Sequence, residues 1–204
     1  MTAPSPILSF SIYACAFIVG AVLMGFEMLG SRFLFPYFGG GIGTWASLIS
    51  TVLCALAIGY FAGSAIVARR PSQRAIAVAI LIAAAYLALV PATADPIMEA
   101  ILQSLGDGAY ATLTASTALL LVPLTLLGTF SPIAVSILTR SADEAGRVAG
   151  LVYGVSTIGN VIGTLLTTFT LIPAIGSRSI TYIFAVTLAG CAAILFVPPA
   201  GRPA

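Results

Sequence analysis

Histidine and lysine are both absent from this 204-residue sequence. Without histidine the chain loses the commonest general base and the commonest metal ligand together, so neither a metal nor metal-assisted chemistry is expected. Charge of either sign is scarce. Only 7% of residues are charged, where an ordinary soluble domain carries about 25% to keep its surface in water. An exterior that lacks charge is one that faces lipid. The eight cations are all arginine, the six anions are scattered, and the net charge of +2 forms no cluster of the kind that holds nucleic acid. Three cysteines, Cys15, Cys54 and Cys191, stand in apolar runs without CxxC spacing, so they read as small buried hydrophobes rather than a redox pair. No basic segment and small-residue cleavage site open the chain, and the first apolar run therefore reads as a retained helix.

What is present is hydrophobic length. A membrane crossing needs about 20 largely apolar residues, and six stretches meet or approach this: Ile7–Leu29, Thr44–Val67, Ala75–Ala94, Thr112–Leu138, Val148–Ile172 and Ser179–Val197. The expected fold is an all-α integral membrane protein, a six-helix transmembrane bundle forming one domain over residues 1–204. Between the third and fourth spans, Ile97, Ile101, Leu102 and Leu105 recur at helical spacing beside Asp95, Glu99 and Asp107. That pattern predicts a short amphipathic helix near 96–105, too polar to cross. Arg69, Arg70, Arg74, Arg140, Arg147 and Arg202 fall on one side of a six-span arrangement, and only Arg32 and Arg178 on the other. The positive-inside rule then places both termini in the cytoplasm, and the expected location is a bacterial inner membrane.

Small residues mark where helices touch in lipid. Gly59/Gly63 in the second span and Gly150/Gly154 and Gly159/Gly163 in the fifth are the clearest pairs, and all read as helix packing. Because the second and fifth spans are the middle helices of two three-helix halves, two inverted repeats are a further expectation. Pro123 and Pro132 remove backbone donors from the fourth span and should bend it. Glu27 is the one acidic residue inside a span, a costly position that is a functional hypothesis by default. Arg32 is its natural partner if Gly30 and Ser31 end the helix and turn the chain back. Trp45, beyond the glycine run Gly39–Gly43, reads first as an interfacial anchor, and that run links two spans rather than a strand and a helix, so it is no phosphate loop. In the fifth span Asn160 and Tyr153 could face a cavity, with helix-to-helix hydrogen bonding the plainer reading.

Three stretches together resemble the membrane region of the fused MFS/spermidine synthase-like family. The first is Gly25-Phe26-Glu27-Met28-Leu29-Gly30-Ser31-Arg32, followed by Pro36, the glycine cluster and Thr44-Trp45. The second is Leu121-Val122-Pro123-Leu124-Thr125-Leu126-Leu127-Gly128-Thr129-Phe130-Ser131-Pro132. The third runs from Val148 to Gly176 with Tyr153, Gly159-Asn160, Gly163 and Leu171-Ile172-Pro173-Ala174-Ile175-Gly176. Members of the family commonly carry Asn-Thr where this chain has Ser156-Thr157, and many continue into a cytoplasmic aminopropyltransferase-like domain. No soluble segment here is long enough for such a domain, and no Gly-rich strand-to-helix turn with a downstream acid is present.

The resemblance implies a membrane module of a spermidine synthase-like system that is not expected to make spermidine alone, carries no cofactor and no catalytic residue, and works with a separate cytoplasmic synthase- or methyltransferase-like partner. The alternative is a small MFS-like transporter of a polyamine or other solute, as a homodimer or through its internal repeat, with Glu27 holding an ammonium group. A membrane enzyme using Glu27 as acid or base on a lipid-soluble substrate ranks last. Under the first two readings the candidate substrate-binding residues are Glu27, Arg32, Trp45, Tyr153 and Asn160.

Overall fold

The computed structural model describes residues 5–69 and 72–197; Arg70 and Arg202, used above for orientation, lie outside them. Within the described residues the chain is helical, and six helices are long and apolar enough to cross a membrane. The first three are α1 (Pro6–Phe38), α2 (Ile42–Arg69) and α3 (Gln73–Leu105). The fourth span is α4 (Ala109–Gly128) continued by α5 (Phe130–Leu138), the fifth is α6 (Ala142–Leu166) continued through a π-helical turn into α7 (Ile172–Ile175), and α8 (Ser177–Phe196) is the sixth. With an even number of spans, both ends of the described chain lie at one end of the bundle, called here the terminal end.

Helix limits depart from the apolar runs in physically informative ways. Residues 96–105 are helical, but as the uninterrupted continuation of α3 and not as a separate helix lying on the membrane surface. At 1.5 Å per residue the 33-residue helices α1 and α3 are about 50 Å long, well beyond a hydrocarbon core of about 30 Å. They are long enough to tilt across the core or to extend beyond it. At the opposite, distal end Asp95 of α3 pairs with Arg178 at the start of α8, the one ion pair among the described residues. Gly30 and Ser31 do not end α1 either; the chain turns only at Gly39, whose φ of +70° suits a residue without a side chain. In the fourth span the helix is interrupted at Thr129, three residues before Pro132, whereas Pro123 sits buried inside α4 without a break.

Packing follows the glycines. The most extensive helix pairings are α1 with α6, α2 with α4, and α3 with α8. A Cβ placed on Gly159 would land on the carbonyl oxygen of Phe17, one on Gly163 on that of Ala21, and one on Gly20 on that of Ser156. Between the second and fourth spans, a Cβ on Gly59 would sit 2.5 Å from the Thr125 carbonyl oxygen and one on Gly63 2.9 Å from that of Thr129. Gly128 in turn packs against Leu56.

These two sets are the same contacts made twice. Phe17, Gly20 and Ala21 each stand 108 positions before Thr125, Gly128 and Thr129, and Leu56, Gly59 and Gly63 each stand 100 positions before Ser156, Gly159 and Gly163. The first helix of each three-helix half thus crosses the middle helix of the other half, in one register. In both crossings the paired positions increase together, so the helices run parallel, as alternate spans must. The eight-residue difference between the two offsets is taken up by α1, which runs on to Phe38 while its counterpart stops at Leu138. Gly150 and Gly154, in contrast, do not pack: a Cβ on either would meet nothing within 4 Å. The expectation of a contact there is corrected, because these two glycines stand on the exposed side of α6 while Gly159 and Gly163 hold the side facing α1.

Gly63→Val and Gly163→Val are expected to cost about 1–3 kcal/mol each, as overpacking of a tight contact does, and Gly150→Val close to nothing. Thermal unfolding midpoints of the purified chain in one detergent check this; equal losses at all three positions would contradict the crossings described.

Candidate functional site

Glu27 lies on the buried side of α1, between Gly25 and Gly30. It is 8% exposed and has no ion-pair or hydrogen-bond partner among the described residues. Arg32 is exposed and does not reach it. Because α1 continues through both positions, five residues of helix put the two side chains about 140° apart around the axis. The pairing anticipated from sequence is therefore replaced by an isolated buried carboxyl and a free guanidinium. Glu27 is about 10 Å along α1 beyond the Gly20 crossing, inside the apolar part of the span.

The correspondence between the halves gives Glu27 its significance. Offset by 108, Arg32 falls on Arg140, Ser31 on Thr139 and Glu27 on Val135. The arginine and the hydroxyl residue occur in both halves; the carboxyl occurs in one. The carboxyl thus has no counterpart at the matching position of the other half, and burying one in lipid is costly.

The remaining sequence candidates are spread along the bundle rather than gathered with Glu27. Asn160 faces α1 at Gly20, where a Cβ would come 2.9 Å from its Oδ1; that oxygen is buried without a partner. The Asn160 carbonyl accepts a hydrogen bond from the Thr164 hydroxyl at 2.8 Å. Tyr153 stacks edge-on against Tyr60 of α2, with centroids 6.4 Å apart at 87°, so it ties the two middle helices together near the terminal end. Trp45 stands partly exposed on the first turn of α2 at the opposite end. Beside it the Thr44 hydroxyl donates to the Gly39 carbonyl at 2.9 Å. The glycine run is thus a tight helix-to-helix connection.

Two features escaped sequence reading. One is the π-helical turn Thr167–Leu171, which buries Thr167 against α1 at Gly25. Pro173, which cannot donate to the preceding turn, was the available signal, since the ladder must loosen just before it. The other is a cleft of about 590 Å³ at the terminal end, between the last turn of α2, α5 and the start of α6. Its walls are Val67, Pro132, Val135, Ala142 and Ala149, with Ser136, Thr139, Arg140, Ser141 and Tyr153 supplying polar groups. Neighbouring residues alone do not reveal it, because it forms where the connection between the fourth and fifth spans meets the last turn of the second.

The chain matches no protein-family model, no curated protein and no solved structure.

Glu27→Gln removes an unpaired buried acid and keeps its shape, so its unfolding midpoint in detergent is expected to equal or exceed that of the unmodified chain. A fall equivalent to about 3–5 kcal/mol, the range for a broken buried pair, would reveal a structural partner and overturn the isolated-carboxyl description.

Proposed function

We propose that the chain is a membrane-embedded, transporter-like module for a small cationic solute, a polyamine or a related amine, with Glu27 as the group that receives an ammonium. The observation that carries this reading is that Glu27 is buried and unpaired inside a span while its counterpart in the other half is Val135. An acid without a counterpart in the other half, in a medium that penalises it, is explained by a task. The inverted relation of the two halves supports the same reading, since transporter folds place their solute sites where such repeats meet. One carboxylate neutralises one ammonium, so further amino groups of a polyamine would be held by neutral acceptors; the unpartnered Oδ1 of Asn160, one helix away on α6, is of that kind. In this reading both termini are cytoplasmic in a bacterial inner membrane, because Arg69, Arg74, Arg140 and Arg147 stand at the terminal end against Arg32 and Arg178 at the distal end.

A second reading is favoured by the three quoted motif stretches: a membrane module of a spermidine synthase-like system acting with a separate soluble cytoplasmic partner. It differs in what would come away with the protein. Purification in mild detergent from the native host, followed by mass spectrometry, would then recover a near-stoichiometric synthase- or methyltransferase-like protein, whereas the transporter reading expects the chain alone or as a homodimer.

Uptake of radiolabelled putrescine and spermidine into proteoliposomes tests the first reading. The unmodified chain is expected to accumulate one or both, and Glu27→Gln to reduce the rate at least about tenfold, the loss typical of removing a charged hydrogen-bond partner. Uptake unchanged by the substitution, or no uptake of any amine by the unmodified chain, would reject it.

A further inference from the structure

The cleft at the terminal end is separate from the Glu27 region. Tyr153 lines the cleft and Thr167 marks the level of Gly25 and Glu27 on the same span, and these positions are about 21 Å apart along the helix. The cleft also has the opposite chemistry. Its one charged lining residue is Arg140, which makes no ion pair within 4 Å among the described residues. Asp143 and Glu144 follow on the first turn of α6 but do not line it.

Around Arg140 the hydroxyls divide into used and unused. Thr139 donates to the Val135 carbonyl at 2.8 Å. Ser141 stands at the start of α6 but makes no side-chain capping bond, and no hydrogen bond occupies the hydroxyls of Ser136 or Tyr153 among the described residues. Residues carrying one guanidinium and three hydroxyls without a hydrogen-bond partner among the described residues thus line a single recess. The other wall is apolar, made by Val67, Pro132, Val135, Ala142 and Ala149. A volume of about 590 Å³ is in the range that holds a small organic ligand.

We propose that this cleft binds the phosphate group of an anionic ligand. Arg140 forms the charged bond, for which a bidentate guanidinium–phosphate pair is the favoured geometry. Ser136, Ser141 and Tyr153 donate to the remaining oxygens, and the apolar wall receives whatever the phosphate is attached to. The recess stands at the end of the spans, the part of a transmembrane bundle where basic pockets between helices meet lipid phosphates. An anionic phospholipid and a soluble phosphate ester offer the same group, and the test separates them.

The purified chain in zwitterionic nanodiscs is titrated with phosphatidylglycerol and, separately, with glycerol 3-phosphate and inorganic phosphate, and retention is read by native mass spectrometry. Arg140→Gln and Arg147→Gln serve as the paired variants, since Arg147 is an exposed arginine that does not line the cleft. The expected result is retention of an anionic ligand by the unmodified chain and by Arg147→Gln. Arg140→Gln is expected to lose about tenfold or more in affinity. Ser136→Ala with Ser141→Ala, which leaves all charges in place, should weaken retention by a smaller factor. Retention of phosphatidylglycerol alone identifies the lipid as the source, and retention of the soluble phosphates identifies the free ester; both support the site. Equal losses in Arg140→Gln and Arg147→Gln would reduce the effect to general surface charge, and equal retention of phosphatidylcholine would remove the phosphate-anion selectivity; either overturns the proposal.

Discussion

Close approach of backbones at two glycine-lined crossings is the constraint on which the bundle depends. Lipid is as apolar as the helices it surrounds, so no hydrophobic force draws the spans together, and the packing energy has to come from contact at short range. Gly159 and Gly163 let α6 lie on the carbonyls of Phe17 and Ala21; Gly59 and Gly63 let α2 lie on Thr125 and Thr129. Everything else is placed relative to these lines. They bring the first helix of each half against the middle helix of the other, lock the two halves into each other, and leave the third and sixth spans to pair along a separate seam from Gln73 and Val197 at one end to Asp95 and Arg178 at the other.

Much of this was legible in the sequence, and for a definite reason. In a membrane every backbone group must be satisfied within the helix, so long apolar runs have few structures open to them. The six spans and the packing role of Gly59, Gly63, Gly159 and Gly163 followed directly. Helix limits were harder, because an apolar run reports the hydrocarbon core and not the hydrogen-bond ladder. Residues 30–38 and 95–105 are polar or glycine-containing, yet they simply prolong α1 and α3 beyond the apolar runs. Gly150/Gly154 has the same spacing as the packed pairs and packs against nothing in the chain, since spacing gives a face but not what the face meets. The Glu27–Arg32 pair failed on geometry once α1 was seen to be continuous. The cleft around Arg140 depends on the α5–α6 connection meeting the last turn of α2, which is distant in sequence, and no local signal reports that meeting.

The internal correspondence also separates what the two halves share from what they do not. Positions that match across the halves and pack at the crossings, such as Gly20 with Gly128 and Gly59 with Gly159, are parts of the framework. Glu27 breaks the match with Val135 at a position where breaking it is expensive. In the proposed function the buried acid is the solute-binding group, and the arginine cleft at the other end of the bundle is a second, chemically distinct feature rather than an extension of it.

The most direct measurement is chemical labelling of the unmodified chain in membrane vesicles with a lipid-soluble carbodiimide, mapped by mass spectrometry with and without added spermidine or putrescine. The account predicts modification at Glu27, the one acid within the apolar spans, and its suppression as amine is added. Labelling of Glu27 that proceeds at the same rate at saturating amine would contradict the assignment of this carboxylate to a cationic solute.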